Sequence, residues 1–140
     1  MLLIVSNKCD LATDFLILRL RERNIPFLRL NTEDYLSLWE VCFSINGNSA
    51  DVVVTKYGEE PLSSKFFLGA YIRQPRMPTL DLKEEDEKKF AEREVGEALK
   101  SLWRSIDEGI WLNAPHRILR ASNKPEQLSF AISIGFDIPV

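Results

Sequence analysis

The run Leu2-Leu3-Ile4-Val5 is apolar without a break, which is the pattern of a strand buried on both faces of a parallel sheet. Polar Ser6 to Asp10 ends it. Leu11, Phe15 and Leu18, with Leu16 and Leu20 beside them, then recur at three- and four-residue spacing, while Arg19, Arg21, Glu22 and Arg23 take the other positions. This predicts an amphipathic helix with the leucines and Phe15 as its apolar face. Asn24 supplies the left-handed residue that ends it, and Ile25 to Leu30 follows as a second strand with Pro26 at its start.

Beyond polar Asn31 to Asp34, the runs Glu40 to Ile45 and Asp51 to Lys56 are rich in β-formers and are joined through Asn46-Gly47-Asn48-Ser49, which predicts a hairpin. Phe67 to Arg73 reads as a further strand, stopped by Pro75 and Pro78, with Gln74 to Pro78 as a loop. Asp81 and Glu84 have capping-box spacing. After them Phe90, Ala91, Val95, Ala98, Leu99, Leu102, Trp103 and Ile106 trace one face of the longest helix, closed by Gly109. Ile110-Trp111-Leu112 is a short strand. Asn113 and Pro115 stand where an N-cap and an early helical proline belong, predicting a short helix to about Ala121. Ser122 to Glu126 repeats that logic for a last helix, which Leu128, Ala131 and Ile132 carry on to Gly135.

Strands alternating with helices, with a hairpin interposed, predict an α/β fold with an open, mainly parallel sheet. Such sheets bind ligands beyond the carboxyl ends of their strands, so Ser6–Asp10, Asn31–Asp34, Arg73–Arg76 and Asn113–His116 are expected to share one rim. The 140 residues, 45% hydrophobic, suffice for one core. A net charge of −3 argues against a general nucleic-acid binder, although Arg residues cluster at 19–29, at 73 and 76, and at 117 and 120, which leaves room for local basic pockets. The opening segment lacks the features of a signal peptide, and no apolar run reaches the length of about 18 residues that a membrane helix needs. A cytoplasmic protein without membrane contacts is expected. Cys9 and Cys42, with His116 as the sole histidine, are too few for structural zinc and read as free thiols.

The chain has no GxGxxG, Walker loop, GxSxG elbow or HExxH. His116 beside a helix start is more often structural than catalytic, and neither Glu33 with Asp34 nor Asp81 with Glu84 to Asp86 has a spacing that fixes a paired-carboxylate site. A receiver-like domain would use Asp10 as phospho-acceptor, and a flavodoxin-like one would need a Ser/Thr-rich first loop. The accompanying acidic pair and lysine of the first are not evident by spacing, and the second loop type is absent.

Three stretches together resemble one family. They are Leu3 to Lys8 with Asp10, running through Arg23-Asn24-Ile25-Pro26-Phe27 into Arg29 to Asp34; then Tyr71-Ile72-Arg73-Gln74-Pro75; then Trp111-Leu112-Asn113-Ala114-Pro115, Ile118 to Arg120, Ala121 to Pro125, Gln127-Leu128 and Gly135 to Pro139. In order and spacing they resemble the start of ATP-grasp ribosomal peptide maturases of the microviridin-ligase (graspetide-ligase) type. Gln74 departs from that family's aromatic-Arg-Arg-Pro element, so Arg73 would lack a neighbour for a two-point clamp on a carboxylate or phosphate.

The resemblance implies a Rossmann-like pre-ATP-grasp domain over 1–140, with helices on both faces of the sheet. Residues 1–112 would form the sheet core, and 113–140 would be helices leading toward ATP-grasp domains that lie outside the chain. It implies an ATP- and Mg²⁺-dependent ligase that phosphorylates a side-chain carboxylate of a precursor peptide and closes an amide or ester crosslink. Lys124 would reach the ATP phosphates from a helix N-terminus, and Arg73, Arg76 and Asn113 would face substrate. The chain alone would be inactive, with no catalytic residue or metal ligand of its own. A homodimer is also implied, for which Trp39, Phe66, Phe67 and Tyr71 offer an aromatic patch if they are not core. The alternative is a stand-alone α/β module that binds a ligand or a protein.

Overall fold

The computed structural model describes residues 1–46 and 49–138. The strands are β1 (Leu2–Ser6), β2 (Phe27–Asn31), β3 (Trp39–Asn46), β4 (Ser49–Lys56), β5 (Leu62–Ser63), β6 (Gly69–Ile72) and β7 (Trp111–Leu112). The helices are α1 (Leu11–Glu22), α2 (Glu85–Ser105), α3 (Pro115–Ala121) and α4 (Lys124–Ser133). A parallel sheet in the order β2-β1-β6-β7 is accompanied by an antiparallel sheet in the order β3-β4-β5. The predicted hairpin is therefore the larger part of a sheet of its own, extended by β5. Its turn residues Gly47 and Asn48, like Pro139 of the last family-like stretch, lie outside the described residues.

The unbroken apolar run of β1 is buried as its pattern requires, with Leu3, Ile4 and Val5 between 0% and 2% exposed. Alternation sends Leu3 and Val5 to one face, where they meet Leu102 and Ile106 of the α2 region, and sends Ile4 to the other. The chain steps from β1 to β2 in one direction and from β6 to β7 in the opposite one. Right-handed crossovers then put α1 and α2 on opposite faces. Trp39, Val52 and Val54 lay the antiparallel sheet onto the same cluster, so α2 packs between the two sheets.

Several local expectations are corrected. Leu11, Phe15 and Leu18 are exposed, and the face of α1 that is buried carries Thr13, Ile17 and Leu20. The N-cap sets this rotation: Asp10 accepts from both the backbone N and the hydroxyl of Thr13 and so turns Thr13 inward. Asn24 does adopt the left-handed conformation, at φ 53°. Asp81 and Glu84 form no capping box; α2 begins at Glu85 without a side-chain cap, its N-terminal dipole favoured instead by Glu85, Asp86 and Glu87. Gly109 does not close α2, which stops at Ser105 because Ile106 turns extended and dives into the core; Gly109 sits in a separate 3-10 turn capped by Asp107. Ala114 rather than Asn113 is the N-cap of α3, since Pro115 at the first helical position forces the residue before it to be extended. Trp39 and Phe67 are core, leaving Phe66 as the one strongly exposed aromatic of the expected patch.

Candidate functional site

The carboxyl ends of β1, β2 and β6 draw three of the four expected rim segments together. Asn7 donates from Nδ2 to the Gln74 carbonyl at 2.7 Å and orders its own loop by accepting from Cys9 N at 2.8 Å. Thr32 Oγ1 accepts from Arg76 N at 2.7 Å. Arg29 binds the Asn7 carbonyl at 2.9 Å, Asp14 at 2.6 Å and Asn31 at 2.8 Å, so it ties α1 to the ends of β1 and β2. Lys8 pairs with buried Asp34, and the hydrogen bond it donates to that carboxylate, with the carboxylate's charge, holds the Lys8 amine above its ordinary pKa.

Asp10 is the buried node of this rim. Its Oδ2 accepts from Ser6 Oγ and Thr13 Oγ1, both at 2.7 Å, and its Oδ1 accepts from Thr13 N at 3.3 Å and pairs with Arg73. Burial pushes the Asp10 carboxyl upward, but the hydrogen bonds from Ser6 and Thr13 and the Arg73 charge outweigh it, leaving the group below its ordinary value. With both oxygens engaged and the residue 3% exposed, Asp10 is not placed to accept a phosphoryl group, as a receiver-like domain would require.

Beside the rim, the loop after β6 faces α2 and α3 across a cleft of about 490 Å³. Its walls are Ile72, Pro75, Met77, Leu99, Trp103, Pro115, Ile118 and Leu119, and its charged residues are Arg73, Arg76 and Lys100. Arg73 and Arg76 thus share one concavity. Asn113 lines a neighbouring hollow with Glu108, Trp111 and Arg117, and exposed His116 pairs with Glu108 at 3.4 Å. Lys124 lies exposed at the start of α4, where it donates to Gln127 Oε1 at 3.1 Å, and it lines neither that hollow nor the cleft. Gly96, Lys100 and Trp103 border the cleft without any sequence motif that marks them as site residues. The available signal was a glycine inside a helical pattern.

No family model matches the sequence, and no curated protein is significantly similar to it. Solved structures do match. The macrocyclase MdnC of Microcystis aeruginosa MRC, bound with precursor peptide MdnA, superposes with TM-score 0.86 at 20% identity, over 99% of this chain and 45% of its own. The chain has the fold of the amino-terminal part of these enzymes. The macrocyclase MdnB of the same organism gives 0.82 at 22% identity over 99% and 46% of the two chains. A RiPP-associated ATP-grasp ligase of Chryseobacterium gregarium, in complex with ADP and a leader and core peptide, gives 0.80 at 19% over 99% and 42%. The chain therefore spans less than half the length of the solved structures it matches.

Proposed function

We propose that this chain is the amino-terminal domain of an ATP-dependent ligase that forms side-chain amide or ester crosslinks in a ribosomal precursor peptide. The observation that carries the reading is the superposition on macrocyclases over 99% of the chain, joined to two arginines that border one cleft at the strand ends. Bound ATP would supply the phosphoryl group that activates a carboxylate. Lys124 suits a phosphate: it is an exposed amine in the first turn of α4, a ten-residue helix whose terminus favours anions. No group of three or more His, Cys, Asp or Glu stands together among the described residues, and in this reading the magnesium ligands come from the rest of the parent.

Within this reading Arg73 and Arg76 orient an anionic part of the substrate. Arg73 is positioned for that by Asp10, which occupies its Nη1. Asn113, on the same side of the fold, offers amide hydrogen bonds to the peptide. A homodimer would bring two such domains into one assembly. The complete gene product, incubated with ATP, magnesium and its precursor peptide, is expected to yield products lighter by one water per crosslink in mass spectrometry, and Lys124→Ala is expected to abolish them. Unaltered peptide mass after incubation with wild type shown to be folded refutes the reading. A stand-alone α/β module that binds a ligand or a protein is the second reading, and the cleft between residues 72–77 and helices α2 and α3 is the site it would use.

A further inference from the structure

Gly96 stands in the interior of α2, where glycine is the least favourable residue after proline. Neither torsion nor crowding requires it. It is not among the residues with positive φ, and a Cβ built on it would meet only Met77 Cε at 3.5 Å, an ordinary contact. With Lys100 and Trp103 it occupies positions i, i+4 and i+7, one face of the helix, and all three line the cleft. A larger side chain at 96 would project into that space.

The charge of the cleft is as one-sided as its walls are apolar. Three cations and no carboxylate line it, in a chain whose net charge is −3. Arg73 is answered by Asp10, and Lys100 by Glu97 at 2.7 Å. The Arg76 guanidinium has no acceptor among the described residues, while its backbone is held by Thr32. An anion beside Arg76 gains charge-assisted hydrogen bonds without breaking an existing pair.

We infer that this cleft binds a peptide segment in which an apolar side chain adjoins carboxylates, and that Gly96 determines specificity by leaving room for that side chain. The inference rests on the ligase reading for the choice of a peptide, and adds to it the chemistry of the segment and its place. The probe is an acetylated, fluorophore-labelled peptide of sequence Gly-Glu-Phe-Glu-Gly, with one control in which both Glu are Gln and one in which Phe is Ser. Fluorescence anisotropy on the whole chain is expected to show saturable binding of the first, weaker by about tenfold or more for each control. Arg76→Gln weakens the Glu peptide about tenfold and leaves the Gln peptide unchanged. Gly96→Ala raises the thermal midpoint by about 4 °C. Gly96→Leu keeps at least the wild-type midpoint and abolishes binding. Absence of saturable binding, wild-type binding by Gly96→Leu, or a lowered midpoint in Gly96→Ala overturns the inference. Water-loss products from the parent without probe binding remove the cleft alone, whereas probe binding with an unmodified precursor removes the ligase reading alone.

Discussion

Replacing Asp10 by alanine tests whether the rim is held from its buried node. The substitution removes the N-cap of α1, worth about 1 kcal/mol. It also strips the acceptor from the hydroxyls of Ser6 and Thr13, both 0% exposed, at about 1 kcal/mol each at the lower end for buried unsatisfied groups. Arg73 has a side chain 36% exposed, so water re-solvates it and its share is discounted to about 0.5 kcal/mol or less. The expected loss is about 3 kcal/mol, or about 10 °C in thermal midpoint for a chain of this size. Urea unfolding at neutral pH with an unchanged slope measures it, and Asp10→Asn, which keeps an acceptor and the cap, is expected to lose about 1 kcal/mol. A loss under about 0.5 kcal/mol for Asp10→Ala refutes the reasoning. The pH dependence has a definite sign. The folded carboxyl titrates below its ordinary value of 3.8, so its stabilisation is complete above that value and disappears as pH falls through the lower folded one. Wild type is therefore expected to lose stability below about pH 4 more steeply than Asp10→Asn.

Other expectations follow from burial. Leu102→Ala, at a fully buried position between the two sheets, is expected to cost about 3 kcal/mol in urea unfolding. The rotation of α1 is tested by a pair: Ile17→Ala is expected to cost about 2 to 4 kcal/mol, whereas Phe15→Ser, at a 69% exposed position, stays within about 0.5 kcal/mol of wild type. The reverse order of effects would mean that the apolar stripe read from the sequence is the packed face after all. Arg73→Gln is expected to raise the pH at which the acid transition occurs, because the Asp10 carboxyl loses the charge that helps to lower its pKa.

Elements set by a two-residue or continuous apolar pattern were legible: β1, the hairpin strands and β6 lie where β-formers and turn residues put them. So was the rim, because strand direction and connection order decide which loops meet, and Ser6–Asp10, Asn31–Asp34 and Arg73–Arg76 do meet. Helix faces were less legible. In α1 the strongest apolar stripe points outward, because one threonine hydroxyl and one aspartate fix the rotation through contacts that hydropathy does not register. The ends of α2 were misread for a related reason: acidic residues enriched at a helix start look alike whether they cap it by hydrogen bonds or only by charge. The cleft was the least legible, since it forms between residues 72–77 and helices that follow much later, and no single stretch contains it.

The sequence departure at Gln74 acquires a physical meaning from this arrangement. Gln74 is left-handed at φ 45°, a conformation that costs a residue with a side chain about 1 kcal/mol, and its carbonyl is caught by Asn7. The reversal at 74 lets Arg76 N reach Thr32 and brings Met77 over Gly96. Arg73, one residue earlier, stays on the strand end and surrenders one nitrogen to Asp10. The two arginines are thus unequal: Arg73 is paired with Asp10 and serves the rim, while the Arg76 guanidinium, at the edge of the cleft, has no acceptor among the described residues. Residue 74 itself borders the cleft, its Oε1 accepting from Arg73 Nη1 at 3.5 Å, so a second arginine there would set two like charges side by side. Within the inferred binding mode, Arg76 is therefore the contact that gains an anion without losing a partner, and the left-handed turn at Gln74 is what carries it to the cleft.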